Sequence, residues 1–177
     1  MAKSFLVIPL FFNPMAEYSH NNNFTIVPLE LQNPNSQYNI IDELFTVSSN
    51  EEVCRCNIEY YNIQVIYKTI KGKKSGIPTI CKYLSELPKL SAYNKVIVEY
   101  NVEPQRTIIA MAEGERLLIA NSYHTVDFGS AIYYLLECFK QNQINPKQTI
   151  INLYAALSID ELNMLHKFVK GVKVCAL

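Results

Sequence analysis

The sequence predicts a mixed α/β fold, an α+β mixed sheet in two related halves with the first incomplete. Three observations point there. From Lys95 onward, β-rich runs, helical periodicity and turn signals follow the order strand, strand, strand, helix, strand, helix. Before Lys95 runs a shorter version: strand, helix, strand pair, helix. The chain has 177 residues and is 49% hydrophobic, which is enough to bury a core without cross-links.

Taken in order, residues 1–12 (MAKSFLVIPLFF) hold one lysine and an apolar run that loosely resembles a signal peptide. Pro9 interrupts the run and no Ala-x-Ala site follows, so a buried strand is expected instead. Residues 13–23 are turn-rich and read as a connector. Phe24–Leu31 makes a short strand, which Pro28 confines to an edge or bulge. Residues 38–45 (YNIIDELF) read as a short helix. Two strand-like runs, 51–61 and 63–70, meet near Asn62. The loop 71–78 ends at Pro78, which starts the helical stretch 79–87. The first half is thus assigned to 1–90 and the second to 91–177.

The second half is more regular. KVIVEY (95–100) and RTIIAMA (106–112) are β-rich and joined by a loop containing Pro104. Glu113-Gly114 turns tightly into 116–123, completing an antiparallel meander. Phe128, Ile132, Leu135, Leu136 and Phe139 recur at helical spacing over 128–141. The apolar run 149–157 suits a central strand. Ser158 and Glu161 have capping-box spacing for a helix over 159–170, Gly171 is placed to end it, and 172–177 adds a last strand. Three antiparallel strands, then helix, strand and helix, is the order of a ribonuclease H-like or actin-like half-domain.

Composition narrows the function. Sixteen basic residues balance sixteen acidic ones, so a nucleic-acid partner is not expected. No apolar stretch is long enough to span a bilayer, so no membrane insertion is expected. Five cysteines, an odd number without a Cys-x-x-Cys pair, suit reduced thiols and a cytoplasmic setting.

Asp127-Phe128-Gly129 matches the kinase Asp-Phe-Gly triplet in letters only. The glycine-rich loop, strand lysine and His-Arg-Asp loop of kinases are missing. The triplet lies between the third strand and a helix, so Asp127 or Thr125 is expected to cap that helix. An actin-type phosphate loop would instead fall at the first hairpin, with the pattern Asp-x-Gly-x-x-Thr. Glu99-Tyr100-Asn101 stands there, and Glu99 and Asn101 are the weak candidates for cofactor binding. Ala155-Ala156 stands where an adenosine-binding glycine pair would be. Cys54 and Cys56 read as small core residues. His20, His124 and His166 show no ligand spacing, and Lys71-Gly72-Lys73-Lys74 reads as a solvated turn. No catalytic residue and no metal site is assigned.

The strand 24–31, the meander from Val96 and the passage from LLIANSYHT (117–125) into AIYYLLECFKQ (131–141) carry a family resemblance. Over about residues 24–177 the chain resembles the uncharacterised bacterial family called domain of unknown function 3822. That resemblance implies an actin-like ATPase fold and no assigned activity. It also implies a further N-terminal hairpin and helix, including the first phosphate-binding loop, which are expected to be missing from this sequence.

The expectation is an actin-like-fold protein that leans away from catalysis and acts through protein–protein contacts, a second copy of itself included. No cofactor is assigned. ATP with Mg²⁺ belongs to the alternative, a nucleotide-binding ATPase or kinase-like enzyme. A ribonuclease H-like nuclease would need clustered carboxylates for two metals, and Glu99 alone supports that poorly.

Overall fold

A computed structural model describes residues 6–9, 18–19, 24–31, 47–72 and 76–175. The chain divides into two units, Met1–Lys82 and Tyr83–Leu177, with the boundary inside helix α1 (Thr79–Glu86). The helix expected over 38–45, most of the 13–23 connector, His20, Lys73 and Lys74 lie outside the described residues.

Unit 1 holds β1 (Leu6–Pro9), β2 (Tyr18–Ser19), β3 (Phe24–Pro28), β4 (Glu51–Ile58), β5 (Ile63–Ile70) and β6 (Ile77–Pro78). Four of them form a sheet in the order β1-β4-β5-β3. Strand β1 runs parallel to β4, while β4, β5 and β3 are antiparallel neighbours. Strand β3 is an edge and Pro28 is its last residue, where a missing N–H costs least. Asn62, at φ 53°, takes the left-handed conformation that closes the β4–β5 turn. Cys54, Cys56 and Ile58 alternate onto a buried face. A short parallel pair, β2 with β6, has no counterpart in the sequence reading.

Unit 2 holds β7 (Asn94–Asn101), β8 (Arg106–Glu113), β9 (Arg116–His124), α2 (Phe128–Gln141), β10 (Ile150–Tyr154), α3 (Ile159–His166) and β11 (Gly171–Cys175). Its sheet runs β11-β10-β7-β8-β9. The meander β7–β8–β9 is antiparallel, and β10 and β11 continue it in parallel pairing. Gly114, at φ +58°, makes the β8–β9 turn, where an added Cβ would sit 3.3 Å from the Tyr93 ring. Alternate residues of β7 (Val96, Val98, Tyr100) join Ile109, Ile151 and Leu153 on one face. Onto that face α2 lays Phe128, Ala131, Leu135 and Phe139, and α3 adds Leu165. Each large aliphatic side chain buried there contributes roughly 1.5–3 kcal/mol.

Several boundaries differ from expectation: the strands expected over 24–31 and 51–61 end at Pro28 and Ile58, each followed by a 3-10 turn. Helix α3 stops at His166, and Gly171 opens β11 opposite Ile150 instead of ending the helix. The Lys170 N–H bonds the Pro146 and Thr149 carbonyls, so the chain has already turned toward β10 before the glycine.

Candidate functional site

The end of the β7–β8 hairpin is where the sequence placed Glu99 and Asn101. The two strands meet at the pair Asn101–Arg106 across the turn 102–105. Side chains alternate, so Glu99 and Asn101 share a face, and Arg106 is opposite one and diagonal to the other. This is the face opposite α2 and α3.

Glu99 is 2% exposed and Arg106 is 1% exposed. Arg106 Nη2 donates to Glu99 Oε1 at 2.8 Å, and Asn101 Nδ2 donates to the same oxygen. The Tyr83 hydroxyl donates to Glu99 Oε2 at 2.8 Å. Burial, followed by the nearby Glu99 carboxylate, holds the Tyr83 phenol well above the ordinary tyrosine range. Its ring lies 5.1 Å from that of Tyr154, whose hydroxyl donates to Glu86 Oε2 at 2.8 Å. Both oxygens of Glu99 therefore already accept hydrogen bonds from this chain, and its charge is balanced by a fixed guanidinium. A carboxylate so engaged is a poor ligand for a metal or a nucleotide.

Asp127 is the cap. Its Oδ1 accepts from the backbone N–H and the hydroxyl of Ser130, each at 2.6 Å. Those two bonds pull its carboxyl below the ordinary aspartate range, the hydroxyl contributing most. Thr125 is not the cap: it is buried, and its hydroxyl pairs with that of Thr107 at 2.9 Å. Glycine follows Asp127 without any strained backbone, since neither Phe128 nor Gly129 has positive φ.

The remaining sequence candidates are scattered. Ala155 is buried and Ala156 exposed. Cys54, Cys56, Cys81 and Cys138 are buried free thiols, and burial pushes those of Cys54, Cys81 and Cys138 up, away from reactivity. His124 is exposed, with its Nδ1 3.0 Å from the Gln105 carbonyl, and His166 is exposed on α3. Among the described residues, no group of three or more His, Cys, Asp or Glu side chains could hold a metal ion. Among those residues, too, no helix is long and apolar enough to cross a membrane.

Of the partners of Glu99, the sequence singles out Asn101 but neither Arg106 nor Tyr83. Arg106 was read only as the start of the next strand, although the hairpin register puts it diagonal to Glu99. Tyr83 lies sixteen residues away in α1, and no local spacing links it to β7.

The comparisons with known proteins agree with this architecture. A crystal structure from Bacteroides thetaiotaomicron VPI-5482, a protein with actin-like ATPase fold and unknown function, superposes with a TM-score of 0.63. It is 23% identical, and the match covers 97% of this chain and 67% of that one. The fold is therefore actin-like. No curated protein matches the chain. The model of the family "Protein of unknown function (DUF3822)" matches residues 18–172, most of the chain. The chain belongs to that family.

Proposed function

We propose that this is a non-catalytic member of the actin-like fold, whose nucleotide site is degenerate and which works in the cytoplasm through protein–protein contacts. The observation that carries the reading is the saturation of Glu99 by Arg106, Tyr83 and Asn101 at the hairpin end. A phosphate loop offers several backbone N–H groups to its ligand, and glycine lets the backbone approach. Here Asn101 folds its side chain onto Glu99, and the one cation of the hairpin end is neutralised inside the protein. ATP does not fit these residues.

The two units support a second part of the proposal: they are variants of one half-domain plan, the first incomplete. The order β1-β4-β5-β3 matches β10-β7-β8-β9 in strand position and direction, while the chain visits those positions in a different sequence in the two units.

Thermal melting with millimolar Mg-ATP tests the reading. A ligand at a hundred times its dissociation constant stabilises a protein by about 2.7 kcal/mol. For a chain of this size that raises Tm by roughly 5 °C. The melting temperature should be the same with Mg-ATP as with Mg²⁺ alone. A reproducible rise of that size with the nucleotide would instead favour an ATPase or kinase-like enzyme.

A further inference from the structure

The sheet of unit 2 has two dissimilar edges at the ends of its strands, distinct from its outer strands β11 and β9. Strands β7, β9 and β10 point the same way, because β10 is parallel to β7 and both β7 and β9 are antiparallel to β8. The connections 102–105, 125–127 and 155–158 therefore all lie along one edge of the sheet, with the start of α3 beside them. Three large apolar side chains stand out from it: Ile159 is 79% exposed, Val102 64% and Val126 62%. Glu103, Asp127, Asp160 and Glu161 lie on the same edge, and its one arginine, Arg106, is buried against Glu99. Two of these carboxylates converge on one phenol: after burial, Glu161 and then Asp127 hold Tyr100 above its ordinary range.

The opposite edge is richer in lysine, although the β8–β9 turn also lies there and adds Glu115 and Glu113, the latter paired with Arg116 at 2.9 Å. There 142–149 leads into β10 and 167–170 leads into β11, and neither connection contains an acidic residue. Lys147 Nζ donates to the Lys167 carbonyl, and the Lys170 N–H donates to the Pro146 carbonyl at 3.0 Å. Those bonds bring Lys147, Lys167 and Lys170 together. Phe168 and Ile150 are exposed among them.

We propose that the chain associates with a second copy of itself head to tail, the acidic, apolar edge of one unit 2 seated on the lysine edge of the next. The two patches match in charge and each supplies apolar side chains that are otherwise left in water. The contact joins two different surfaces, so each added copy leaves a free edge of each kind, and assembly stays open-ended unless the rotation closes a ring. This inference rests on the reading that the protein works through protein contacts. The Mg-ATP melt judges that reading separately, because it does not depend on association.

Sedimentation of the purified chain over a wide concentration range tests the contact, at about 20 mM and about 500 mM salt. Mass should rise with concentration at low salt, and the association constant should fall at least about tenfold at high salt. Glu103→Lys with Asp160→Lys should be monomeric, as should Lys167→Glu with Lys170→Glu. Mixed together, the two variants should associate again, because each reversed edge now meets its complement. Should a charge reversal fail to fold by circular dichroism, Val102→Ser with Ile159→Ser removes the apolar part of the same contact and should also be monomeric. A wild-type chain that stays monomeric at low salt would overturn the proposal. So would variants that associate like the wild type, or folded reversed variants that stay apart when mixed.

Discussion

The two central hairpins share their dimensions but not their filling. In β4–β5 and in β7–β8, two strands of eight residues each flank a turn, 59–62 in one and 102–105 in the other. The last residue of the first strand pairs with the first of the second: Ile58 with Ile63, and Asn101 with Arg106. Two residues before that pair stand Cys56 and Glu99. One hairpin end is thus Cys56, Ile58 and Ile63, all buried and apolar, and the other is Glu99, Asn101 and Arg106. The backbone plan does not require charge at this place. Unit 2 puts an ion pair where unit 1 manages with hydrocarbon and a thiol, and both oxygens of its carboxylate accept hydrogen bonds from the same chain.

The difference has an energetic consequence. A buried ion pair adds little over apolar packing, because desolvation offsets the attraction, yet losing one partner strands the other charge. Arg106→Met should therefore be the most damaging single change at this hairpin end, costing roughly 3–5 kcal/mol in urea denaturation. Ile63→Val, at the matching position of β5, should cost only about 0.5–1.5 kcal/mol. Equal losses at the two positions would break the comparison.

Tyr83→Phe is a smaller perturbation, since it removes one hydrogen bond to the Glu99 carboxylate and keeps the ring. It should cost roughly 1.5–3 kcal/mol. It also carries a pH signature. The Tyr83 phenol is raised in the folded state, so its contribution is fully present below the unfolded tyrosine pKa of about 10 and is lost as pH rises beyond that. Melting curves of the wild type should fall above about pH 10, and those of Tyr83→Phe should fall less steeply.

Asp127 should show the smallest effect. Asp127→Asn keeps an oxygen for the Ser130 N–H and should be nearly neutral, whereas Asp127→Ala should lower Tm by a few degrees. Its depressed carboxyl works in the opposite pH sense from Tyr83. The contribution is present above the unfolded aspartate pKa of about 4 and is lost as pH falls through the lower folded value. Loss of an activity in Asp127→Asn at unchanged stability would make the residue functional.

Much of unit 2 was legible because its signals are local. The meander over 94–124 follows from alternating β-branched runs and a glycine turn, and α3 announces itself through Ser158 and Glu161, whose reciprocal bonds are both made. Gly171 misled because a glycine after a helical run is the usual stop signal, while here pairing of β11 with β10 decides the boundary. The β2–β6 pair left no signal, since two-residue strands have no period to read. At the candidate site Glu99 was visible but its environment was not. The diagonal to Arg106 can be reached by counting through the turn, whereas the Tyr83 contact depends on how α1 packs on the sheet.

The claim that the unit 2 hairpin end is internal packing in ionic form can be tested by converting it to the unit 1 type. Glu99→Leu, Arg106→Met and Tyr83→Phe together remove the charges and the hydroxyl, leaving half-exposed Asn101 to bond water. Urea denaturation of the triple variant should show a smaller loss than Arg106→Met alone, because no buried charge is left behind. A triple variant as unstable as that single one, or less stable, would contradict the claim.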